Sequence, residues 1–222
     1  EAFRTHGSTL ATGEKVVRFE GDAGKVKKVV TDKGTYEADM VILCVGFRPN
    51  TDIFKGQLDM LPNGAIKVDR YMRSSHPDVL AAGDCCSVYY NPTREFSYIP
   101  LATNAVRMGT LAAINLFEDK IAHPGTQGTS GIKIYEHDMA STGITEEEAR
   151  RKGIDIDTVT VVDNYRPEFM PTYEQVTLKV VFEKDSRRLI CAQLHSKIDL
   201  TQAINTLSVC IQNDMTVTDL AF

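Results

Sequence analysis

No stretch of this sequence approaches the roughly 20 apolar residues that a membrane-crossing helix needs. A bilayer-spanning role is therefore not expected, and nothing at the start reads as a signal peptide. Basic runs are scarce too: none is longer than Arg150-Arg151-Lys152 or Arg187-Arg188, and aromatics are not interleaved with them. With a net charge of −5, nucleic acid is not expected as the main partner. There is no Cys-x-x-Cys pair, and the five cysteines (Cys44, Cys85, Cys86, Cys191, Cys210) are odd in number. A disulfide framework or zinc site does not follow, and a reducing cytoplasm is the better expectation. His6, His76, His123, His137 and His195 lack metal-ligand spacing, so no metal is expected. No Ser-His-Asp set or catalytic carboxylate pair can be assembled. A Gly-x-Gly-x-x-Gly turn is also missing; Gly125, Gly128 and Gly131 have the wrong spacing and follow no strand. What remains is a composition of ordinary globular type, 42% hydrophobic and 25% charged. The 222 residues have room for one large or two modest domains.

The pattern along the chain changes character twice. Lys15–Glu20, Val26–Asp32 and Thr35–Ala38 read as strands of a hairpin meander, punctuated by Gly21-Asp22-Ala23-Gly24 and Lys33-Gly34. The apolar run 39–46 reads as a further strand. Ala65–Val68 reads as a short strand after the Pro62-Asn63-Gly64 loop, and 89–93 as an irregular surface loop. Pro100 is expected to open a helix to about Asp119, with Leu101, Ala105, Met108, Leu111, Ala112, Asn115 and Leu116 at helical spacing. His123–Thr129, rich in Pro, Gly and small polar residues, is the best domain boundary. Beyond it, strands are expected at 132–135, 139–143, 158–163, 176–183 and 188–194. Capping boxes at Thr145 and Asp199 announce two helices.

Three stretches carry the chemistry. Val79-Leu80-Ala81-Ala82-Gly83-Asp84 reads as a buried strand that stops at a glycine and presents a carboxylate at its carboxyl end. Such a group can accept hydrogen bonds from a sugar or polyol hydroxyl; the other reading is a strand-ending turn. Val41-Ile42-Leu43-Cys44-Val45-Gly46-Phe47-Arg48-Pro49-Asn50 is a second apolar run closed by glycine. Ile99-Pro100-Leu101-Ala102-Thr103-Asn104 reads as a helix start, whose free N–H groups carry partial positive charge. For the vicinal pair Cys85-Cys86 two readings stand, small residues packed at a strand end or a redox role, which would need a lowered pKa and access.

Together these stretches resemble the flavoprotein pyridine nucleotide–disulfide oxidoreductases. "VILCVGFRPNT" is similar to the connector between their NAD and FAD domains, "VLAAGD" to their second FAD motif, and "IPLATNAVRMG" to the helix that points at the flavin. Within the family, "GDCCSVYYNPT", "DNYRPEFMPTYE" and "NTLSVCIQN" resemble the NADH oxidase group, with NADH peroxidase and coenzyme A-disulfide reductase as its relatives.

The resemblance implies an α/β plus α+β fold: the C-terminal half of a flavoprotein with two dinucleotide-binding domains. Residues 1–40 would be the β-meander end of the NAD domain, 41–122 the second segment of the FAD domain, and 123–222 an α+β dimerisation domain truncated at its C-terminus. It implies FAD and NADH as cofactors, with Asp84 on the ribityl chain, backbone of Leu101, Ala102 and Thr103 at the flavin ring, and Gly46 beside the nicotinamide. Tyr165 would be an active-site contact from a partner subunit or a loop on the dimer seam. The implied parent is a homodimer or larger assembly in the cytoplasm. It would pass hydride from NADH to FAD and reduce O2 to water through a cysteine sulfenate. Starting at Glu1 rather than Met and stopping at Phe222, the chain reads as cut from something longer. The redox cysteine is expected upstream of Glu1, so no catalytic residue is assigned within the chain and the piece alone is expected to be inactive. A coenzyme A-disulfide reductase, an NADH peroxidase and an inactive dimerisation module stay open as alternatives.

Overall fold

The computed structural model describes residues 2–222. The chain divides into two compact units, Glu1–Phe47 and Arg48–Phe222.

The first unit holds a one-turn helix, α1 (Ala2–Thr5), and a three-stranded antiparallel meander of β1 (Val16–Asp22), β2 (Lys25–Thr31) and β3 (Thr35–Glu37) in the order β1-β2-β3. The turns fall where the glycines predict. Gly24 has a φ of +76°, and a Cβ on Gly21 would stand 2.1 Å from the Lys25 carbonyl oxygen. Glu14 fastens the open end by accepting from the Tyr36 and Thr31 hydroxyls. The expected strand over 39–46 does not form. The segment is irregular and exposes Met40 by 76%, Ile42 by 77% and Val45 by 89%. The physical reason is a missing neighbour: among the described residues no strand pairs with it, so its N–H and C=O groups have no ladder to join.

The second unit begins irregularly. Residues 58–87 are joined by single bridges rather than by regular strands. Ile66 lies parallel to Cys86, and Arg73 antiparallel to Leu80. The strands expected at 65–68 and 79–84 are therefore reduced to isolated bridges, at Ile66 to Met60 and Cys86 and at Leu80 to Arg73, with Ile66 N–H on Cys85 C=O (2.9 Å) and Ala81 N–H on Met72 C=O (3.0 Å). Ile66, Val68, Met72, Ala81, Cys86, Val88 and Met108 form the local core. The loop expected at 89–93 is not on the surface. Val88–Tyr90 is strand β4 and pairs with β5 (Glu95–Ser97), while Tyr90, Asn91 and Pro92 are buried. Turn chemistry was the right reading at 91–94, where Arg94 takes a φ of +57°. Burial comes from Arg188, which donates to the carbonyls of Asn91 and Pro92.

Helix α2 runs from Ala102 to Ile114, shorter at both ends than expected. Leu101 is extended, so Pro100 precedes the helix instead of opening it. Asn115 stops it: its Oδ1 accepts from the N–H groups of Lys120 and Ile121, and its Nδ2 donates to the carbonyls of Ile121 and Tyr71. A fully buried amide turned back on the chain leaves Leu116 outside, 53% exposed.

Residues 130–196 form a five-stranded antiparallel sheet of order β6-β7-β10-β9-β8, made of β6 (Ser130–Ile134), β7 (His137–Gly143), β8 (Ile156–Asn164), β9 (Gln175–Glu183) and β10 (Leu189–Ser196). Helix α3 (Glu146–Arg151) is capped by Thr145, whose Oγ1 accepts from Glu148 N–H. Glu148 pairs with Arg151 instead of completing the box. The Asp199 box is absent as well: Asp199 accepts from Thr201, a 3-10 turn follows, and α4 begins at Ile204 and ends at Gln212. A complete box stands instead at Thr216 and Asp219, opening α5 (Val217–Ala221). Ala140, Ala192 and Leu194 of the sheet pack on Ile204 of α4, with Val176, Leu178, Val180 and Leu207 beside them. The opposite face is covered at one end by Ala149 of α3 and by Tyr90.

Candidate functional site

The candidate site is the ground between residues 82–86 and the first turn of α2. Asp84 lies in a tight turn in which Cys86 N–H returns to Gly83 C=O at 3.2 Å. Gly83 has a φ of +92°, and a Cβ there would stand 3.7 Å from the Ala105 methyl, so the turn lies against the first turns of α2. Only a residue tolerant of the left-handed region serves at this point. The Asp84 carboxylate itself is exposed and makes no hydrogen bond or ion pair among the described residues. It is an acceptor with its lone pairs open, at a turn and not at the end of a regular strand.

No side chain caps α2; its N-cap, Leu101, has φ −129° and ψ 132°. The opening N–H groups of a 13-residue helix are thereby left for an outside acceptor. Ala102 and Thr103 are exposed on this turn and Leu101 is half-buried. An open carboxylate beside uncapped N–H groups offers one acceptor for hydroxyls and a row of donors for an electron-rich edge. These residues fit a polyol-bearing, electron-accepting ring system such as FAD, with no Cβ at Gly83 to crowd it.

Other residues shape this ground, and sequence reasoning passed over them. The Tyr98 hydroxyl is buried without a partner, and its pKa is raised by burial and by the nearby charges of Asp84 and Cys85. Asn104, 4% exposed, sits one residue into the helix from Thr103. It donates to Ile99 C=O (3.2 Å) and accepts from the Thr126 hydroxyl (3.1 Å). Its signal was a polar residue on a helical face that must be buried. Cys85 is half-buried and Cys86 buried in the core; their thiols donate to the Ala82 and Gly83 carbonyls. The Cys85 thiol is pulled down to about 6 chiefly by the neighbouring Cys86 sulfur, and Cys86 is pushed up by that neighbour and by burial.

The remaining predicted residues belong to other segments of the chain. Gly46 belongs to the first unit. Its φ of +84° suits glycine, and a Cβ there would meet nothing within 4 Å. Tyr165 stands where the β8–β9 connection leaves the sheet. Its hydroxyl lies 3.4 Å from the Thr172 hydroxyl and the Arg166 guanidinium packs over its ring, so its contacts are with its own loop. His195 pairs with His137, Nε2 to Nδ1 at 2.8 Å. His123 is buried; its Nδ1 accepts from Gly125 N–H, and burial followed by Arg107 and Arg70 lowers its pKa. Among the described residues no group of His, Cys, Asp and Glu is placed to hold a metal, and no helix is long and apolar enough to cross a membrane.

Comparison with known proteins places nearly the whole chain. Residues 1–109 match the model described as pyridine nucleotide-disulphide oxidoreductase. Residues 129–222 match the dimerisation domain of the same family. An NADH oxidase of Enterococcus faecalis is 55% identical over 97% of the chain, which covers 48% of that protein. The solved structure of a water-forming NADH oxidase from Lactobacillus brevis bound to NADH is 51% identical, with a TM-score of 0.95 over 99% of this chain and 49% of that one. A CoA-dependent NAD(P)H sulfur oxidoreductase of Pyrococcus furiosus is 34% identical over 100% of the chain and 51% of its own length. The chain thus spans about half the length of the curated relatives it matches.

Proposed function

The chain belongs to the pyridine nucleotide-disulphide oxidoreductase family, and from that premise we propose that its parent protein is an FAD-dependent NADH oxidase that reduces O2 to water. The observation that carries this reading is the 51–55% identity to NADH oxidases, sustained along almost the whole chain. Residues 1–40 are assigned to the end of the NAD-binding domain, 41–122 to the second FAD segment and 123–222 to the dimerisation domain.

In this reading Asp84 accepts hydrogen bonds from the ribityl hydroxyls. The unencumbered turn at Gly83 lets the chain approach them closely. The backbone N–H groups at the start of α2, from Leu101 through Thr103, face the pyrimidine edge, where negative charge gathers on reduction. Gly46 leaves space for the nicotinamide. When bound, FAD supplies the chemistry of taking hydride from NADH and passing electrons on to dioxygen. The thiol that cycles through sulfenate is placed in the half of the parent that these residues do not cover. None of Cys44, Cys85, Cys86, Cys191 or Cys210 is given that role. Lacking that half, the 222 residues alone are expected to be inactive.

Self-association is assigned to the sheet. On the face away from α4, a depression of about 370 Å³ is lined by Met139, Ser141, Thr177, Lys179, Gln193 and His195, among others. At its margins Ile132 and Val162 are 57% and 56% exposed. An antiparallel sheet with one face on its own helices can bury the other against a second copy. Tyr165 then serves as a contact to the partner's active site or to the dimer seam. The parent is expected in the cytoplasm.

A coenzyme A-disulfide reductase on the same scaffold is the second reading, favoured by more distant relatives such as the sulfur oxidoreductase. Full-length parent supplied with NADH and O2, with peroxide, or with coenzyme A-disulfide decides between them. The oxidase reading predicts O2 consumption at two NADH per O2 with no peroxide released. Oxidation of NADH that depends on coenzyme A-disulfide and ignores O2 would overturn it.

A further inference from the structure

We propose that Arg188, in the dimerisation part of the chain, is a positioning residue for the first turn of α2, acting through Asn91, Thr126 and Asn104; as a statement about a cofactor, this rests on the FAD reading above. Arg188 is 4% exposed and is committed on several sides. One terminal nitrogen donates to Asn91 C=O (3.3 Å) and to Asp214 (3.4 Å). The other donates to Pro92 C=O (2.9 Å) and to Glu183. Its fork thus ties the turn of the β4–β5 hairpin to the β9–β10 connection and to the loop before α5. A planar guanidinium holds its donors on two separated terminal nitrogens in a rigid fork, whereas a lysine ammonium is a single point.

From the hairpin the bonds lead on without a gap. Asn91 N–H donates to Thr126 C=O (3.0 Å), and Thr126 N–H donates to Tyr89 C=O (2.8 Å), so residue 126 runs beside β4 as a parallel bridge. The Thr126 hydroxyl then donates to Asn104 Oδ1 (3.1 Å), and Asn104 Nδ2 holds Ile99 C=O (3.2 Å) at the approach to the helix. Asn91, Asn104 and Thr126 are 7%, 4% and 7% exposed, so water cannot readily replace these bonds. The β4–β5 hairpin is also the stretch of chain that joins the Asp84 turn to α2. One end of the network therefore grips both halves of the cofactor ground while the other is anchored in the five-stranded sheet. The stretch 123–129 is part of this clasp and not a free linker: Gly125 has a φ of +90°, and a Cβ there would fall 2.0 Å from Asn91 Oδ1.

Contiguity is not coupling, so the test measures coupling. In full-length parent, Arg188→Lys, Thr126→Val and the double variant are compared by hydrogen exchange of the α2 first-turn amides without cofactor, and by FAD titration. Each single variant is expected to deprotect the first hydrogen-bonded amides of α2, at 105–107, and to weaken FAD binding roughly ten-fold, with the double variant no worse than the more severe single. Unchanged exchange at the first turn in both Arg188→Lys and Thr126→Val, with the chains still folded, would overturn the proposal. So would fully additive effects. A parent that binds no FAD while its exchange responds as described would overturn the FAD reading and leave the mechanical linkage standing.

Discussion

Two apolar runs of similar appearance end in opposite states. Residues 40–45 expose most of their side-chain surface and form no strand, whereas Val176–Phe182 of β9 lies between β8 and β10 with Val181 wholly buried. Propensity does not separate them; the position of a partner in the sequence does. Strand β10 begins six residues after β9 ends, and the 184–187 turn sets their register before any distant contact is needed. The run at 40–45 resembles a strand of a buried sheet, whose neighbours are supplied by remote segments. Antiparallel architecture carries its own completion; parallel architecture borrows it.

The contrast can be sharpened by substitution. The largest effect is expected at Gly143, where a Cβ would stand 2.0 Å from the Ile190 backbone oxygen at a φ of +84°. Gly143→Ala should cost about 4 kcal/mol or more in denaturant unfolding, because neither strand can move without breaking the ladder. Next comes Arg188→Met, expected to cost about 3–5 kcal/mol by leaving Glu183 and two buried carbonyls uncompensated. Its pH signature follows from the Arg188 hydrogen bond, which holds the Glu183 carboxyl below its ordinary range. A depressed folded pKa gives stability that is present above the unfolded value and lost as pH falls through the folded one. Wild type should therefore lose stability on acidification below about pH 4.3, and Arg188→Met should show less of that loss in unfolding curves taken across the range. The smallest effect is expected at Gly46→Ala, which meets no atom within 4 Å and should cost only the left-handed backbone penalty of roughly 1–2 kcal/mol. If Gly46→Ala proved as damaging as Gly143→Ala, the claim that the first run is unsupported within these residues would fail.

Cysteine chemistry separates the same way. The Cys85 thiol, drawn down to about 6 and half-buried, should alkylate with iodoacetamide at neutral pH well before buried Cys86 or Cys191. Mass spectrometry of a timed reaction would show it; faster labelling of Cys86 would contradict the lowered Cys85 thiol pKa.

Where the sequence was legible follows this division. Meander strands, the sheet of 130–196 and the Thr145 cap could be read from alternation, glycine turns and hydroxyl caps, because the determining neighbours are adjacent. The strands at 39–46 and 79–84 were over-read, since an apolar run followed by glycine states a preference for burial and not the presence of a partner. Helix α2 was over-extended because Asn115 fits a helical face, while its side chain folds back to bind Lys120 and Ile121. At the candidate site, Asp84 and 101–103 came from motif resemblance. The roles of Asn104, Thr126 and Arg188 could not be read, because they depend on partners 22 to 97 residues away; only the burial of Asn104 had a signal, its place on a helical face.

The most direct test is FAD binding by full-length parent carrying Asp84→Ala. The exposed carboxylate has no partner of its own, so thermal stability of the cofactor-free protein should stay within about 0.5 kcal/mol of wild type. FAD affinity should fall at least roughly ten-fold with the loss of a charge-assisted hydrogen bond. Undiminished FAD affinity in a stable Asp84→Ala protein would contradict the placement of the cofactor beside this turn.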